Sequence, residues 1–182
     1  AEAMGRFGSD KPDTRFDLEL VDVTPAVTGC QFAVFQNAVA AGGTVRAICV
    51  KGAAAALSRK EIDKLVEVAK TYGAKGLAYT RWTAEARSSS FEKFLTEEEV
   101  AALAAATGLQ QGDVLLVAAD ADWEKACTAL GAVRLAVGEK LGLIDKDQFN
   151  FLWVTDFPLF EYSEEEGRYM AKHHPFTMPR EE

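Results

Sequence analysis

"SRKEIDKLVEVAKTYGAKGLAYTRW" (residues 58–82) carries a complete helix signal and a strand signal back to back. Ser58 stands three residues before Glu61, the spacing of a capping box, in which each side chain can bond the other's backbone N–H. Ile62, Leu65, Val66, Ala69 and Tyr72 then fall on one helical face, and Gly73 supplies a stop. Directly after it, "GLAYTRW" (76–82) is rich in residues that favour a pleated, half-buried surface.

The same alternation continues on both sides. Upstream, "CQFAVFQ" (30–36) and "TVRAICV" (44–50) read as strands, joined by "NAVAAGG" with paired glycines suited to a hairpin. Downstream, Thr96 and Glu99 form a second capping box, opening a helix with Val100 and Leu103 that stops near Gly108. "DVLLVAA" (113–119) is a continuous apolar run, the mark of a buried strand. Trp123, Ala126, Cys127, Leu130, Val133, Val137 and Leu141 line one face of a long helix. Each amphipathic face must bury against something, and one sheet with its helices on one face is the economical packing. The middle of the chain is therefore expected to be an α+β domain of two layers, a sheet plus helices.

The composition changes after "LIDKDQFN". "FLWVTDFPLFEY" is dense in aromatics, and Pro158 should interrupt a central strand. "SEEEG" reads as a charged turn, after which "RYMAKHHPFT" can return antiparallel. At the other end, "AEAMGRFG" looks like the close of a helix stopped by Gly8, and "SDKPDTRF" like a polar loop. Both flanks suggest pieces of another domain, with the α+β globule set between them.

Charge and cysteine usage exclude several function classes. The 182 residues include 20 basic and 28 acidic ones, a net charge of −8, against the basic stripe expected of a phosphate-tracking nucleic-acid binder. No run approaches the ~20 apolar residues of a membrane helix. Cys30, Cys49 and Cys127 are odd in number and set among apolar residues, so free buried thiols in a reducing cytoplasm are expected.

Candidate chemistry is sparse. His173 and His174 are the two histidines of the chain, side by side on a strand-like stretch. Neighbouring strand side chains point to opposite faces, so they cannot easily chelate one metal together, and no metal site is expected. His173 would share a face with Tyr169 and Ala171, His174 with Met170 and Lys172. Asp156 reads as a lone charge inside an apolar strand, where a buried carboxylate needs a partner or walls a polar pocket. "SDKPDTR" packs two acids and two bases around one proline, either as a solvated loop or as an ordered loop beside a cleft. No nucleophile elbow or phosphate-binding glycine loop is present.

The flanking motifs carry a resemblance. "RFGSDKPDTRF" and "LWVTDFPLFEYSEEEGRYMAKHHPFTMP" resemble bacterial-type aspartyl-tRNA synthetases, and "CQFAVF" with "YGAKGLAY" resembles the inserted GAD domain of that family. The likeness covers essentially all 182 residues. It implies a GAD, DCoH-like insertion at residues 21–145, with catalytic-core segments at 1–20 and 146–182 that belong to an antiparallel class II sheet. It implies a parent enzyme that is homodimeric and cytoplasmic, activates L-aspartate with ATP and Mg²⁺, and charges tRNA-Asp. His173 matches the family position that contacts aspartate, with His174, Asp156 and Thr177 as pocket support. Met178 stands where the family commonly has serine. On that resemblance, the motifs that hold ATP and metal and the motif that forms the dimer are not among these residues, so the piece alone is expected to be monomeric, inactive and without bound cofactor. Two alternatives stay open. One is a binding module for tRNA or a protein through a local patch at Arg81, Arg87 and Lys93. The other is a piece of a GAD-containing tRNA-dependent amidotransferase.

Overall fold

A computed structural model describes residues 2–163 and 165–172. The chain divides into two compact units, residues 2–150 and residues from Phe151 onward. Among the described residues no helix is long and apolar enough to cross a membrane.

The first unit opens with α1 (Glu2–Phe7), β1 (Val21–Asp22), α2 (Thr24–Val27), α3 (Ala33–Ala40), β2 (Thr44–Val50) and α4 (Arg59–Thr71). It continues with β3 (Ala78–Trp82), β4 (Arg87–Ser89), a 3₁₀ turn at Glu92–Phe94, α5 (Glu97–Thr107), β5 (Val114–Asp120) and α6 (Trp123–Lys140). The sheet order is β1-β2-β5-β3-β4, and every pairing in it is antiparallel. At its centre β2 and β5 pair over their whole lengths, from Thr44 opposite Asp120 to Val50 opposite Val114.

Helices cover both faces of this sheet, not one. Ile48, Val50, Val114, Leu116 and Ala118 point toward α4 and α6, where they meet Ile62, Leu65, Leu130, Val133 and Val137. The alternate residues Val45, Ala47, Leu115 and Val117 face Val27, Phe35, Phe91 and Leu103. A strand buried on both sides has no polar face to show, and this accounts for the unbroken apolar run in β5. The α+β class stands, with three layers where two were expected.

One expected strand is a helix. Residues 33–40 coil because Phe35 and Ala38, three apart, share the buried face. Phe32 stacks edge-on against Phe35 at 4.8 Å, and Phe35 lies 5.3 Å from Phe91. That aromatic packing overrides the β preference of the individual residues. The paired glycines therefore end a helix instead of closing a hairpin. Gly42 takes φ +76°, and Gly43 approaches the Asp120 carbonyl so closely that a Cβ would lie 2.2 Å from it.

The two expected capping boxes differ. Thr96 and Glu99 form the complete reciprocal pair. At Ser58 only half forms, the Glu61 N–H donating to Ser58 Oγ at 3.4 Å. The Glu61 carboxylate instead accepts from Lys64 at 3.0 Å and pairs with Lys140 of α6, tying α4 to its neighbour. These two ammonium groups hold the Glu61 pKa down to about 2.

The second unit is a ribbon of β6 (Phe160–Ser163) and β7 (Arg168–Ala171), antiparallel as the sequence suggests. Tyr162 faces Tyr169 with ring centroids 5.3 Å apart. Gly167 closes the turn at φ +64°. The strand begins only at Phe160, two residues beyond Pro158. Asp156 is consequently outside any strand, exposed, and in the left-handed region at φ +61°, which corrects the expectation of a buried strand carboxylate.

Candidate functional site

A densely bonded polar site lies where the loop after α1 crosses α6. Helix α6 starts on a firm cap, the Asp122 carboxylate accepting from the backbone of Glu124 at 2.9 Å and Lys125 at 3.3 Å. Its fourth turn carries Arg134, only 1% exposed and the largest fully buried side chain of the described residues. A buried guanidinium requires partners, and Arg134 has three from a single loop. Its Nε donates to the Leu18 carbonyl at 2.8 Å, and its Nη2 to the carbonyls of Asp13 and Phe16, each at 2.9 Å. The Phe16 ring stacks under the guanidinium at 4.0 Å and the Phe7 ring lies at 5.1 Å. Burial pushes the Arg134 pKa below its ordinary value, with Asp13, Glu19 and Asp17 acting in the opposite sense.

Small residues make this approach possible. Gly8 ends α1 at φ +67° and lies against Gly131 of α6. A Cβ on Gly131 would sit 2.5 Å from the Gly8 carbonyl oxygen. One turn pair further, a Cβ on Gly138 would sit 2.8 Å from the Phe16 ring. Leu18, a non-glycine residue, is held at φ +103°, a conformation that costs about 1–3 kcal/mol and persists only where the surroundings over-determine it. Its carbonyl is one of the three that Arg134 holds.

The rim of the loop is charged and self-paired. Asp13 accepts from Arg15 through Nη2 at 2.8 Å and Nε at 3.0 Å. These bonds hold the Asp13 carboxyl below its usual range despite partial burial. Arg6 bonds Glu19 and Glu2, and Leu20 N–H donates to the Arg6 carbonyl at 2.8 Å. Ser9 Oγ accepts from the Lys11 N–H at 3.0 Å, leaving Asp10 and Lys11 exposed at the tip. From the far end of the unit, the Asn150 amide donates to the Thr14 carbonyl at 2.8 Å. The polypeptide thus leaves and returns to one neck after 136 residues.

"SDKPDTR" is therefore an ordered loop, and Asp13 and Arg15 are brought together. The sequence carries a signal for Arg134 as well. It is a lone charge on an otherwise apolar helix face, with glycines at 131 and 138 marking the stripe where another segment lies.

The remaining sequence-nominated residues divide. His173, His174 and Thr177 lie outside the described residues, and the β6–β7 ladder runs to Ala171. Asp156 accepts from its neighbour Thr155 Oγ1 at 2.8 Å. Arg81, Arg87 and Lys93 are engaged within the domain. Arg81 bonds the Ala54 carbonyl at 2.7 Å, Arg87 stacks on Trp82 at 4.4 Å and bonds Glu92, and Lys93 lies over Phe94. All three cysteines are free thiols. Burial raises the pKa of Cys49 and of Cys127 to about 11, so neither is an activated nucleophile. Among the described residues, no group of three or more His, Cys, Asp or Glu could hold a metal ion.

The family model described as the GAD domain matches residues 35–130, from α3 into α6. Over 182 residues the chain is 54% identical to an aspartate–tRNA ligase of Exiguobacterium sibiricum, covering all of this chain and 31% of that protein. It is 57% identical over 180 residues to an aspartate–tRNA ligase of Geobacillus kaustophilus, covering 98% of this chain and 30% of that protein. It is 55% identical over 182 residues to an aspartate–tRNA(Asp/Asn) ligase of Lachnoclostridium phytofermentans, again covering 30% of the relative. The chain spans about a third of the length of the curated relatives it matches.

Proposed function

The chain belongs to the GAD domain family, and from that premise we propose that it is the GAD-containing portion of an aspartate–tRNA ligase. The observation that carries this reading is the identity to such ligases along its whole length, flanks included. Residues 21–145 are the insertion, and residues 1–20 and 146–182 belong to the catalytic core it interrupts. The neck supports this, because an inserted domain must leave and rejoin its host at neighbouring points, as Thr14 and Asn150 do. The β6–β7 ribbon supports it too. A lone two-stranded hairpin is marginal in water, and this one exposes Phe160, Tyr162 and Tyr169, as a strand pair from a larger sheet would.

In the parent enzyme, the carboxylate of L-aspartate attacks the α-phosphorus of ATP and releases pyrophosphate, and the aspartyl group of the resulting adenylate passes to a tRNA hydroxyl with release of AMP. Some relatives are named aspartate–tRNA ligase and others aspartate–tRNA(Asp/Asn) ligase, and aspartate is the amino acid in both names. ATP and Mg²⁺ would be held by parts of the parent outside these 182 residues, in a homodimer in the cytoplasm. His173 hydrogen-bonds the substrate aspartate and holds it for attack, acting by orientation and not as a nucleophile. His174, Asp156 and Thr177 shape the pocket around it.

The test is His173→Ala in the full-length enzyme, followed by aspartate-dependent ATP–pyrophosphate exchange. The expected result is a loss of kcat/KM for aspartate of at least about tenfold, the scale of one hydrogen bond to a charged group. Kinetics equal to wild type would remove His173 from the site.

A further inference from the structure

Arg134, the one buried arginine among the described residues, reaches from α6 into the loop between α1 and β1, which the function proposed above assigns to the core. An apolar side chain of Arg134's size could fill the same cavity, and such replacements of buried charges are often neutral or stabilising. The arginine does what an apolar group could not: it fixes three carbonyls, at positions 13, 16 and 18, in one arrangement. Five donors in a planar fork can satisfy several acceptors at once, which a single ammonium cannot match in geometry. The loop has no regular structure of its own between Gly8 and Val21, and it includes the strained Leu18. Its shape is thus imposed by α6. The Thr14–Asn150 bond joins the returning chain to the same loop.

We propose that Arg134 is a positioning residue, through which the GAD unit holds residues 9–18 in the shape that aspartate activation requires. This rests on the function proposed above. Arg134 touches no substrate. It acts through the loop, whose tip presents the Asp10 carboxylate and the Lys11 ammonium to solvent. Because one guanidinium bonds all three loop carbonyls, its removal frees them together.

The experiment compares full-length wild type, Arg134→Met and Arg134→Lys. Amide hydrogen exchange is followed at residues 9–20 and, as an internal reference, at 114–120 of the central strand. Pyrophosphate exchange is measured well below the melting temperature of each variant. Arg134→Met is expected to lose amide protection in the loop by at least tenfold while the β5 amides keep theirs. Its kcat for aspartate-dependent exchange should fall at least tenfold at saturating ATP and aspartate. Arg134→Lys keeps the charge without the fork and should resemble Arg134→Met in both readings. Should Arg134→Met not fold, Arg134→Lys decides alone. Loop protection lost with kcat within twofold of wild type would overturn the proposal, since the arginine would then be structural only. Loop protection unchanged in both variants would overturn it as well. Absence of aspartate-dependent exchange in the wild-type enzyme would instead defeat the functional reading, with the protection data still deciding whether the latch exists.

Discussion

Replacing Gly131 by alanine strikes the close crossing of α6 and the end of α1. The added Cβ would sit 2.5 Å from the Gly8 carbonyl oxygen and 2.8 Å from its carbonyl carbon and Cα, where ordinary contact begins near 3.4 Å. All three atoms are backbone, so no side chain can swing aside, and the two segments must part by about 0.9 Å at the oxygen. Overpacking of this kind costs about 1–3 kcal/mol, and rigid walls place it at the upper end. Against that, alanine for glycine inside a helix gains about 1 kcal/mol. A net loss of about 2 kcal/mol follows, or a fall in Tm of about 4–8 °C for a chain this long. Chemical denaturation with the Gly76→Ala variant as control reads the difference. Gly76 has nothing within 4 Å of where its Cβ would stand and should change stability by less than about 0.5 kcal/mol. Gly131→Ala as stable as wild type, or more so, would refute the close crossing of loop and helix.

Three further outcomes are expected. The Asp13 carboxyl is more acidic in the folded chain than in the unfolded one, through its bonds to Arg15. Its stabilisation is thus fully present above the unfolded value of about 3.9 and is lost as pH falls through the folded value. The stability gap between wild type and Asp13→Asn should hold from neutral pH to about 5 and close below it; a gap persisting into strong acid would contradict the pairing. Cys30 and Cys127 are essentially inaccessible, and the Cys49 thiol is raised to about 11, so Ellman's reagent at pH 8 should label native protein only as fast as it unfolds. Prompt labelling of one thiol would show that a cysteine is activated. Thr96→Ala removes half of a complete capping box and should cost about 1 kcal/mol, measurable as a lowered denaturation midpoint with an unchanged slope.

Helices α4, α5 and α6 and strands β2, β3 and β5 were legible because each carries an uninterrupted apolar period within its own residues. Residues 33–40 were misread because their aromatic and β-branched content points one way locally while Phe32, Phe35 and Phe91 meet only in the folded chain. Covering of both sheet faces was latent in the apolar run of 114–118, which a one-sided sheet would have alternated with polar residues. The half-formed box at Ser58 could not be foreseen, since Lys140, the competitor for Glu61, is 79 residues away in sequence. Strands β1 and β4, two and three residues long, are too short to show a period at all. Of the site, the loop "SDKPDTR" was noticed by its charge, but its partner Arg134 joins it only through a contact 116–121 residues apart.

The central claim, that this GAD unit serves a core that activates aspartate, is tested most directly by ATP–pyrophosphate exchange. The full-length protein is measured with L-aspartate, L-asparagine and L-glutamate, beside the 182-residue chain alone. Exchange dependent on L-aspartate, in the full-length protein only, is the expected result. A full-length protein that prefers another amino acid, or exchanges with none, would contradict the account, as would full activity in the isolated chain.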